Sequence, residues 1–270
     1  MTTRTIFQLL SVSLSMACAL NSTNLKANDF TALDQALPAS YIINGTEPIF
    51  DFDGDGCLPS AGISRTGQQN AGLKTTGSLG GNCREIWFLN TSNTVHRYAC
   101  KDTQSGQYCA HFYALYFKKD QVFPYFGGGH RHDWEYAAVW TKNGLVTHGS
   151  YSAHGDLFTK PVSELPMENG HLKIVYHKDG ILTHALRFAK SNEIAETAYN
   201  RFVTPPIVSW YEMQGDGIDN QGLRDKLNQY DYGSATLPVK DSRFLYNLNR
   251  FKPEGYPIFT EQDALNSKYR

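Results

Sequence analysis

The chain lacks a charge excess of either sign. Lys and Arg number 25 against 26 Asp and Glu, leaving a net charge of −1 over 270 residues. The basic surplus that nucleic-acid binding requires is therefore missing. No segment after the N-terminal one is apolar enough to span a bilayer as a helix. Internal repeats and charge runs are also missing, so no internal domain boundary is expected. Ser150, Ser152 and His154 lie close together, but no Gly-x-Ser-x-Gly elbow accompanies them, which argues against a serine hydrolase. Cysteine is scarce, with five residues in all.

What is present begins with an export signal. Arg4 is the only charged side chain before Lys26, and Ile6 to Leu20 is apolar or small apart from Gln8 and several serines. This pattern predicts a signal peptide over residues 1–19, cleaved after Ala19, with Ala27 as the second choice. The mature protein is then expected to be a secreted, soluble monomer, one domain over residues 28–270. Cleavage leaves Cys57, Cys83, Cys100 and Cys109. Four cysteines allow three pairings; spacing favours Cys57–Cys83 and Cys100–Cys109, and an exported chain favours disulfides over free thiols.

Strand patterns dominate the middle of the chain. Arg84 to Leu89, Tyr108 to Phe117, Trp134 to Trp140 and Leu172 to Tyr176 read as strands, with a turn at Lys142-Asn143-Gly144. Residues 60–82, rich in Gly, Ser, Thr, Asn and Gln, read as a long polar loop closed by a Cys57–Cys83 bridge. Two stretches read as helices: Asn192 to Phe202, with Ile194, Ala198 and Phe202 near one-turn spacing, and Leu223 to Leu227. The sum is a mainly β fold, a β-sandwich with peripheral helices. Trp134, Trp140 and Trp210 read as core.

The densest chemical signal is Phe126-Gly127-Gly128-Gly129-His130-Arg131-His132-Asp133-Trp134-Glu135. Three glycines free the backbone beside a cluster of ionisable residues. In a strand beginning at Asp133, the Asp133 and Glu135 carboxylates share a face. Two carboxylates on one face repel unless a cation lies between them. His130 follows the flexible glycines and is able to turn toward that cation, and Asp120 offers a third carboxylate. Oxygen-rich ligands with one imidazole suit Mg²⁺, Ca²⁺ or Mn²⁺ better than Zn²⁺. A solvated turn in which Arg131 pairs with Asp133 and Glu135 is the bland alternative. A rival metal reading uses His130 and His132 with Glu135, as in a cupin-like metalloenzyme, though the spacing is short for that. In the strand reading His132 faces away from the carboxylates and supports the loop.

A second acidic cluster is Asp51-Phe52-Asp53-Gly54-Asp55-Gly56-Cys57. Alternate aspartates followed by Gly resemble the first half of an EF-hand loop, with the Cys57 carbonyl as a further ligand, but Gly62 stands where the closing Glu belongs. A structural Ca²⁺ site and an acidic surface turn are both open. His184 reads equally as a hydrogen-bonded core histidine or as a ligand.

The heptapeptide Gly129-His130-Arg131-His132-Asp133-Trp134-Glu135 resembles the hallmark of the NPP1, or necrosis- and ethylene-inducing-like, family. Gly72-Leu73-Lys74 ahead of Cys83, Tyr116-Phe117-Lys118-Lys119-Asp120, Trp210 and Tyr232-Gly233-Ser234-Ala235 are similar to further family segments. The second cysteine pair and the Asp-rich loop resemble its type 2 branch. The resemblance implies a sandwich of the actinoporin-like cytolysin architecture, with a divalent cation held by Asp120, His130, Asp133 and Glu135 and supported by Gly129, Arg131, His132 and Trp134. It implies a secreted toxin without a chemical reaction. Such a toxin binds glycosylated inositol-phosphoceramide sphingolipids of the host plasma membrane, with His184 near the headgroup, and permeabilises the cell. A secreted metalloenzyme and a non-cytotoxic sugar- or lipid-binding module are the alternative readings. Two departures stand out: the stretch from Asp120 to His130 is two residues longer than the family pattern, and Gly180-Ile181 replaces a Trp-Pro.

Overall fold

The computed structural model describes residues 30–38, 43 and 45–265. The signal peptide, both cleavage sites and Cys18 lie outside the described residues. Ten strands and three α-helices are present among them: β1 Ile49–Phe52, β2 Thr94–Thr103, β3 Gly106–Phe123, β4 Gly127–Lys142, β5 Leu145–Ala153, β6 Asp156–Pro161, β7 Met167–Glu168, β8 His171–Lys178, β9 His184–Phe188, β10 Ile207–Ser209, α1 Asn220–Gln229, α2 Asp241–Phe251 and α3 Glu261–Leu265. Six strands form a large sheet in the order β10-β2-β3-β4-β5-β6. A smaller sheet runs β1-β8-β7, with β9 also paired to β8.

The long strands β3 and β4 pair antiparallel over most of their length, from Tyr108↔Lys142 to Phe123↔Gly127. Their side chains alternate between two cores. Phe112, Tyr116, Trp134 and Trp140 pack toward α1, α2 and the C-terminal segment, in a cluster with Leu223, Phe244 and Leu248. Tyr113, Leu115, Phe117, Ala137 and Val139 pack toward the smaller sheet, with Phe52, Ile174, Tyr176 and Leu186. Both faces of the large sheet are thus covered, and Tyr108–Phe117 accordingly carries apolar residues at both odd and even positions. The expected β-sandwich is the observed fold, with helices covering the outer face of its larger sheet.

The turn at Asn143-Gly144 has positive φ at both residues, 51° and 78°, as a tight two-residue hairpin between β4 and β5 requires. Both expected disulfides are formed, Cys57–Cys83 and Cys100–Cys109. The first closes the polar loop, where the Leu58 amide also donates to the Cys83 carbonyl at 2.9 Å. Each bridge restricts the unfolded chain, at about 2–4 kcal/mol.

Two local expectations are corrected. Arg84–Leu89 is not a strand: a short 3-10 turn covers Phe88–Asn90, and Ile86 and Trp87 stay exposed. Arg84 is drawn instead into the Asp-rich loop, where Nη1 donates to the Asp53 and Gly56 carbonyls at 2.8 and 2.7 Å. Asn192–Phe202 is not a helix. Its Glu196 amide donates to Asp51 Oδ1 at 3.0 Å rather than along a helical ladder, Asn200 is left-handed at φ 54°, and Ile194 is 84% exposed. Of the three apolar positions only Phe202 is buried, against Val175 and Ala189, while Ile194 and Ala198 face solvent, so tertiary hydrogen bonds decided the backbone. The helix expected at Leu223–Leu227 lies within α1, whose Asp219 cap accepts from the Gly222 amide at 2.8 Å.

Candidate cation site at the open edge of strand β4

β4 pairs with β3 from its start, but with β5 only from Ala137 onward. Residues 130–136 therefore form a free strand edge, and a cavity of about 390 Å³ opens beside it. Asp120, His130, Asp133 and Glu135 line this cavity together with Ser152, Thr183 and His184. Ligand atoms of Asp120, His130 and Asp133 all lie within 4.8 Å of one another. Glu135 lines the same cavity outside that threesome, with its Oε2 accepting a short hydrogen bond from Ser152 Oγ.

A regular strand would send His130 and Asp133 to opposite faces, since they are three residues apart. His132 between them adopts a left-handed backbone, φ 62°, which breaks the alternation. Its ring is buried on the helix side, where Nδ1 meets the Tyr116 hydroxyl at 2.6 Å, with Trp134 and Tyr232 in the same aromatic cluster. The His130-x-His132 pair with Glu135 is thereby separated, and the cupin-like arrangement does not form. Gly129 is required where it stands: φ is 81°, and a Cβ would lie 2.1 Å from the Asp120 carbonyl. Close approach of β4 to β3 at this point sets Asp120 opposite His130, its register partner. Arg131 is exposed and donates to the Ala71 carbonyl at 2.8 Å, away from Asp133 and Glu135.

The partners orient each ligand. His130 Nδ1 lies 2.6 Å from the His132 carbonyl, to which only an N–H can donate, so in the neutral ring it is Nε2, 4.0 Å from Asp120 Oδ2, that offers a lone pair. His184 holds Asp120 from the smaller sheet: its backbone amide reaches both carboxylate oxygens at 2.9 Å, and its Nδ1 reaches Oδ1 at 2.7 Å. Burial acts to lower the His184 imidazole, but the hydrogen bond and charge of Asp120 override it, and the net direction is upward. Tyr176 donates to Asp133 Oδ2 at 3.1 Å.

Asp120, Asp133 and Glu135 are 2%, 5% and 7% exposed, and among the described residues no arginine or lysine forms an ion pair with any of them. Burial, followed by repulsion from Asp120, pushes the Asp133 carboxyl well above the usual carboxylate range. Burial and Asp133 do the same to Glu135. Buried carboxylates that repel one another, beside an imidazole lone pair, form a donor set that a divalent cation would relieve. The oxygen-rich composition fits a hard ion such as Mg²⁺, Ca²⁺ or Mn²⁺.

The aspartates of the second acidic cluster do not converge. Asp51 is fully buried and accepts from the Glu196 amide at 3.0 and 3.1 Å. Asp53 pairs with Arg187 at 3.4 Å. The carboxylate of Asp55 reaches the Lys178 amide at 3.4 Å, and its carbonyl meets His184 Nε2 at 3.1 Å. Cys57 is engaged in its disulfide, and the Arg84 guanidinium occupies the mouth of the loop. His184 is a buried, hydrogen-bonded histidine that also lines the cavity.

The arginine-bearing face of α2 across the cavity was not anticipated from the sequence, although Arg243, Tyr246, Asn247 and Arg250 fall at one-face helical spacing.

The family model described as necrosis inducing protein (NPP1) matches residues 44–251. NLP effector protein 10 of Phytophthora capsici is 30% identical over 216 residues, 77% of this chain and 76% of that protein. Necrosis-inducing protein NPP1 of Phytophthora nicotianae is 29% identical over 199 residues, 71% and 74% of the two chains. A solved toxin fold described as a basis for microbial attack and plant defense superposes with a TM-score of 0.63 at 25% identity, over 80% of this chain and 92% of that one. NLPPya in complex with mannosamine superposes with a TM-score of 0.62 at 26% identity, over the same shares.

Proposed function

The chain belongs to the necrosis-inducing protein (NPP1) family, and from that premise we propose that it is a secreted, non-enzymatic cytolysin whose cation site recognises a sugar headgroup. Asp120, His130, Asp133 and Glu135 would hold the ion, and a hard divalent cation supplies exchangeable coordination positions for hydroxyl groups. The observation that carries this reading is the convergence of Asp120, His130 and Asp133 within 4.8 Å at the floor of an open cavity. Mannosamine bound to the related NLPPya fold supports a sugar as the ligand class. Ser152, Tyr176 and His184 act as positioning residues, holding Glu135, Asp133 and Asp120 respectively. In this reading the target is a glycosylated inositol-phosphoceramide sphingolipid of a host plasma membrane, and the outcome is permeabilisation. Residues 51–57 act as a structural loop braced by arginines rather than as a second ion site.

One feature favours a binding module without lysis as the second reading. The segment at Gly180-Ile181-Leu182, where Trp-Pro is the family pattern, exposes aliphatic Ile181 and Leu182 at 79% and 51% but no interfacial aromatic. Leakage from vesicles containing plant sphingolipid, measured beside headgroup binding, separates the two. Cation-dependent leakage supports the cytolysin, binding without leakage supports the module, and binding that persists unchanged in chelator removes the cation from both.

A further inference from the structure

We propose that the aromatic tip of the β3–β4 hairpin is a wedge that seats the protein in the surface of an anionic phospholipid bilayer, independently of any sugar. The inference goes beyond the cation–sugar reading and does not need it. β3 and β4 close at Phe123↔Gly127, which leaves Pro124, Tyr125 and Phe126 at the turn. Phe123, Tyr125 and Phe126 are 50%, 76% and 91% exposed. Three aromatic side chains within four positions, all open to water, form the kind of apolar surface that marks a docking site.

The tip is braced from below. The Tyr125 amide donates to the Gly77 carbonyl at 2.7 Å, and Gln121 Nε2 donates to the Gly77 and Phe123 carbonyls, each at 2.8 Å. Lys119 Nζ, buried on the same strand, donates to the Thr76 and Ser78 carbonyls at 3.1 and 2.8 Å. These bonds tie the hairpin to the polar loop and hold the rings away from the protein's own cores.

Charge indicates which partner the rings meet. Across the tip and the loop that braces it, residues 118–131 and 71–82, the one acidic residue is Asp120, 2% exposed. Lys74 and Arg131 are exposed there, and neither forms an ion pair among the described residues. Apolar rings beside unopposed basic side chains fit a bilayer, with anionic phosphates at its surface and acyl chains beneath. Tyr125 carries a hydroxyl suited to the headgroup level, while Phe126 has none and goes deeper. Position agrees with charge. Phe123 lies three residues beyond Asp120, and Ile181 three residues before His184, whose Nδ1 is 2.7 Å from Asp120 Oδ1. Three residues reach at most about 11 Å, so the aromatic tip and the exposed Ile181 and Leu182 start from the same rim of the cavity.

Secreted protein, collected from the medium, is floated in chelator with sphingolipid-free vesicles of phosphatidylcholine, alone or mixed with phosphatidylserine. Binding to both is expected, stronger with phosphatidylserine, and that gain should shrink with added salt. The double variant Y125S/F126S should bind either vesicle about tenfold more weakly or worse. Lys74→Gln should lose only part of the phosphatidylserine gain. Both rings stand in water, so the melting temperature of Y125S/F126S should match the parent, which separates lost docking from lost folding. In Phe126→Trp, brominated lipid should quench emission beyond that of the parent's own tryptophans. No binding by the parent, equal binding to both vesicles, full binding by Y125S/F126S, or no added quenching each overturns the wedge. Self-association that the serine variant abolishes also overturns it, by giving the tip to a second copy of the chain. Calorimetry of soluble glucosamine with Ca²⁺ on the same variant keeps the two readings apart. Vesicle binding lost with glucosamine binding kept supports the wedge, whereas absent glucosamine binding in parent and variant alike counts against the cation–sugar reading only.

Discussion

Two acidic clusters in this chain look alike in sequence and end in opposite states. Asp51, Asp53 and Asp55 alternate along a glycine-rich loop, and Asp133 and Glu135 alternate along β4. The loop aspartates are met by the protein's own groups: Arg187 at Asp53, the Glu196 amide at Asp51 and the Lys178 amide at Asp55. Arg84 adds a guanidinium to the loop carbonyls. The β4 carboxylates gather Asp120 and His130 around a cavity and receive no lysine or arginine among the described residues. What distinguishes the candidate cation site is therefore not the density of acids but their convergence on one cavity with no lysine or arginine paired to them among the described residues.

The largest expected effect breaks the comparison at the cavity. Asp133→Ala should weaken Mg²⁺, Ca²⁺ or Mn²⁺ binding by more than about 100-fold, since even outer-shell partners of metal ligands are worth 10–100-fold. Melting temperatures of the variant should no longer respond to chelator, while its disulfide-braced fold persists. Calorimetry and thermal melts check both, and an unchanged cation affinity would exclude Asp133 as a ligand.

Gly129→Ala attacks the same site through the backbone. A Cβ placed 2.1 Å from the Asp120 carbonyl at φ 81° forces β3 and β4 apart. We expect a loss of about 2–3 kcal/mol in stability, from left-handed strain and overpacking together. Cation affinity should fall with it, although no ligand has been removed. Denaturant unfolding alongside calorimetry measures the pair of effects, and a stable variant with full affinity would show that the close approach is dispensable.

Arg84→Met removes the internal cation of the other cluster. The Asp53 and Gly56 carbonyls then lose their donor, which costs about 1–3 kcal/mol. Cation affinity at the cavity should not change. A second binding event in the calorimetric trace would mean that Arg84 had been filling an ion's place.

Asp53→Asn gives the smallest effect and sharpens the comparison by pH. Burial, opposed by Arg187, raises the Asp53 carboxyl to about 6, against about 3.9 in an unfolded chain. The folded state thus holds this proton more tightly than the unfolded state between those values. The penalty is absent below about pH 4, enters as pH rises, and is complete above about pH 6. The amide variant should melt slightly higher than the parent at pH 7 and show a flatter profile from pH 4 to 6. A lower melting temperature at pH 7 would mean that the Arg187 contact outweighs desolvation.

Sequence reasoning succeeded where a local pattern carried its own environment. Tyr108–Phe117 and Trp134–Trp140 are apolar on both faces and became the central strands, and the Asn143-Gly144 turn needed only its two positive φ values. It failed where the environment came from elsewhere. Ile194, Ala198 and Phe202 have helical spacing, yet Ile194 found no core and Asp51 captured the Glu196 amide. Ile86 and Trp87 have strand propensity, yet Arg84 was held by the aspartate loop.

By itself the sequence determined a mainly β chain, four cysteines whose spacing favours the two bridges, and a heptapeptide that sets His130, Asp133 and Glu135 within six positions of one another. Those are short-range properties, written in periodicity and in the chemistry of neighbouring residues. The tertiary structure alone decided that His132 would turn left-handed and so let His130 and Asp133 meet, that His184 would clamp Asp120 across 64 positions, and that the arginine-bearing face of α2 would line the same cavity. Each depends on segments distant along the chain, whose meeting is set by the packing of two sheets and a helix.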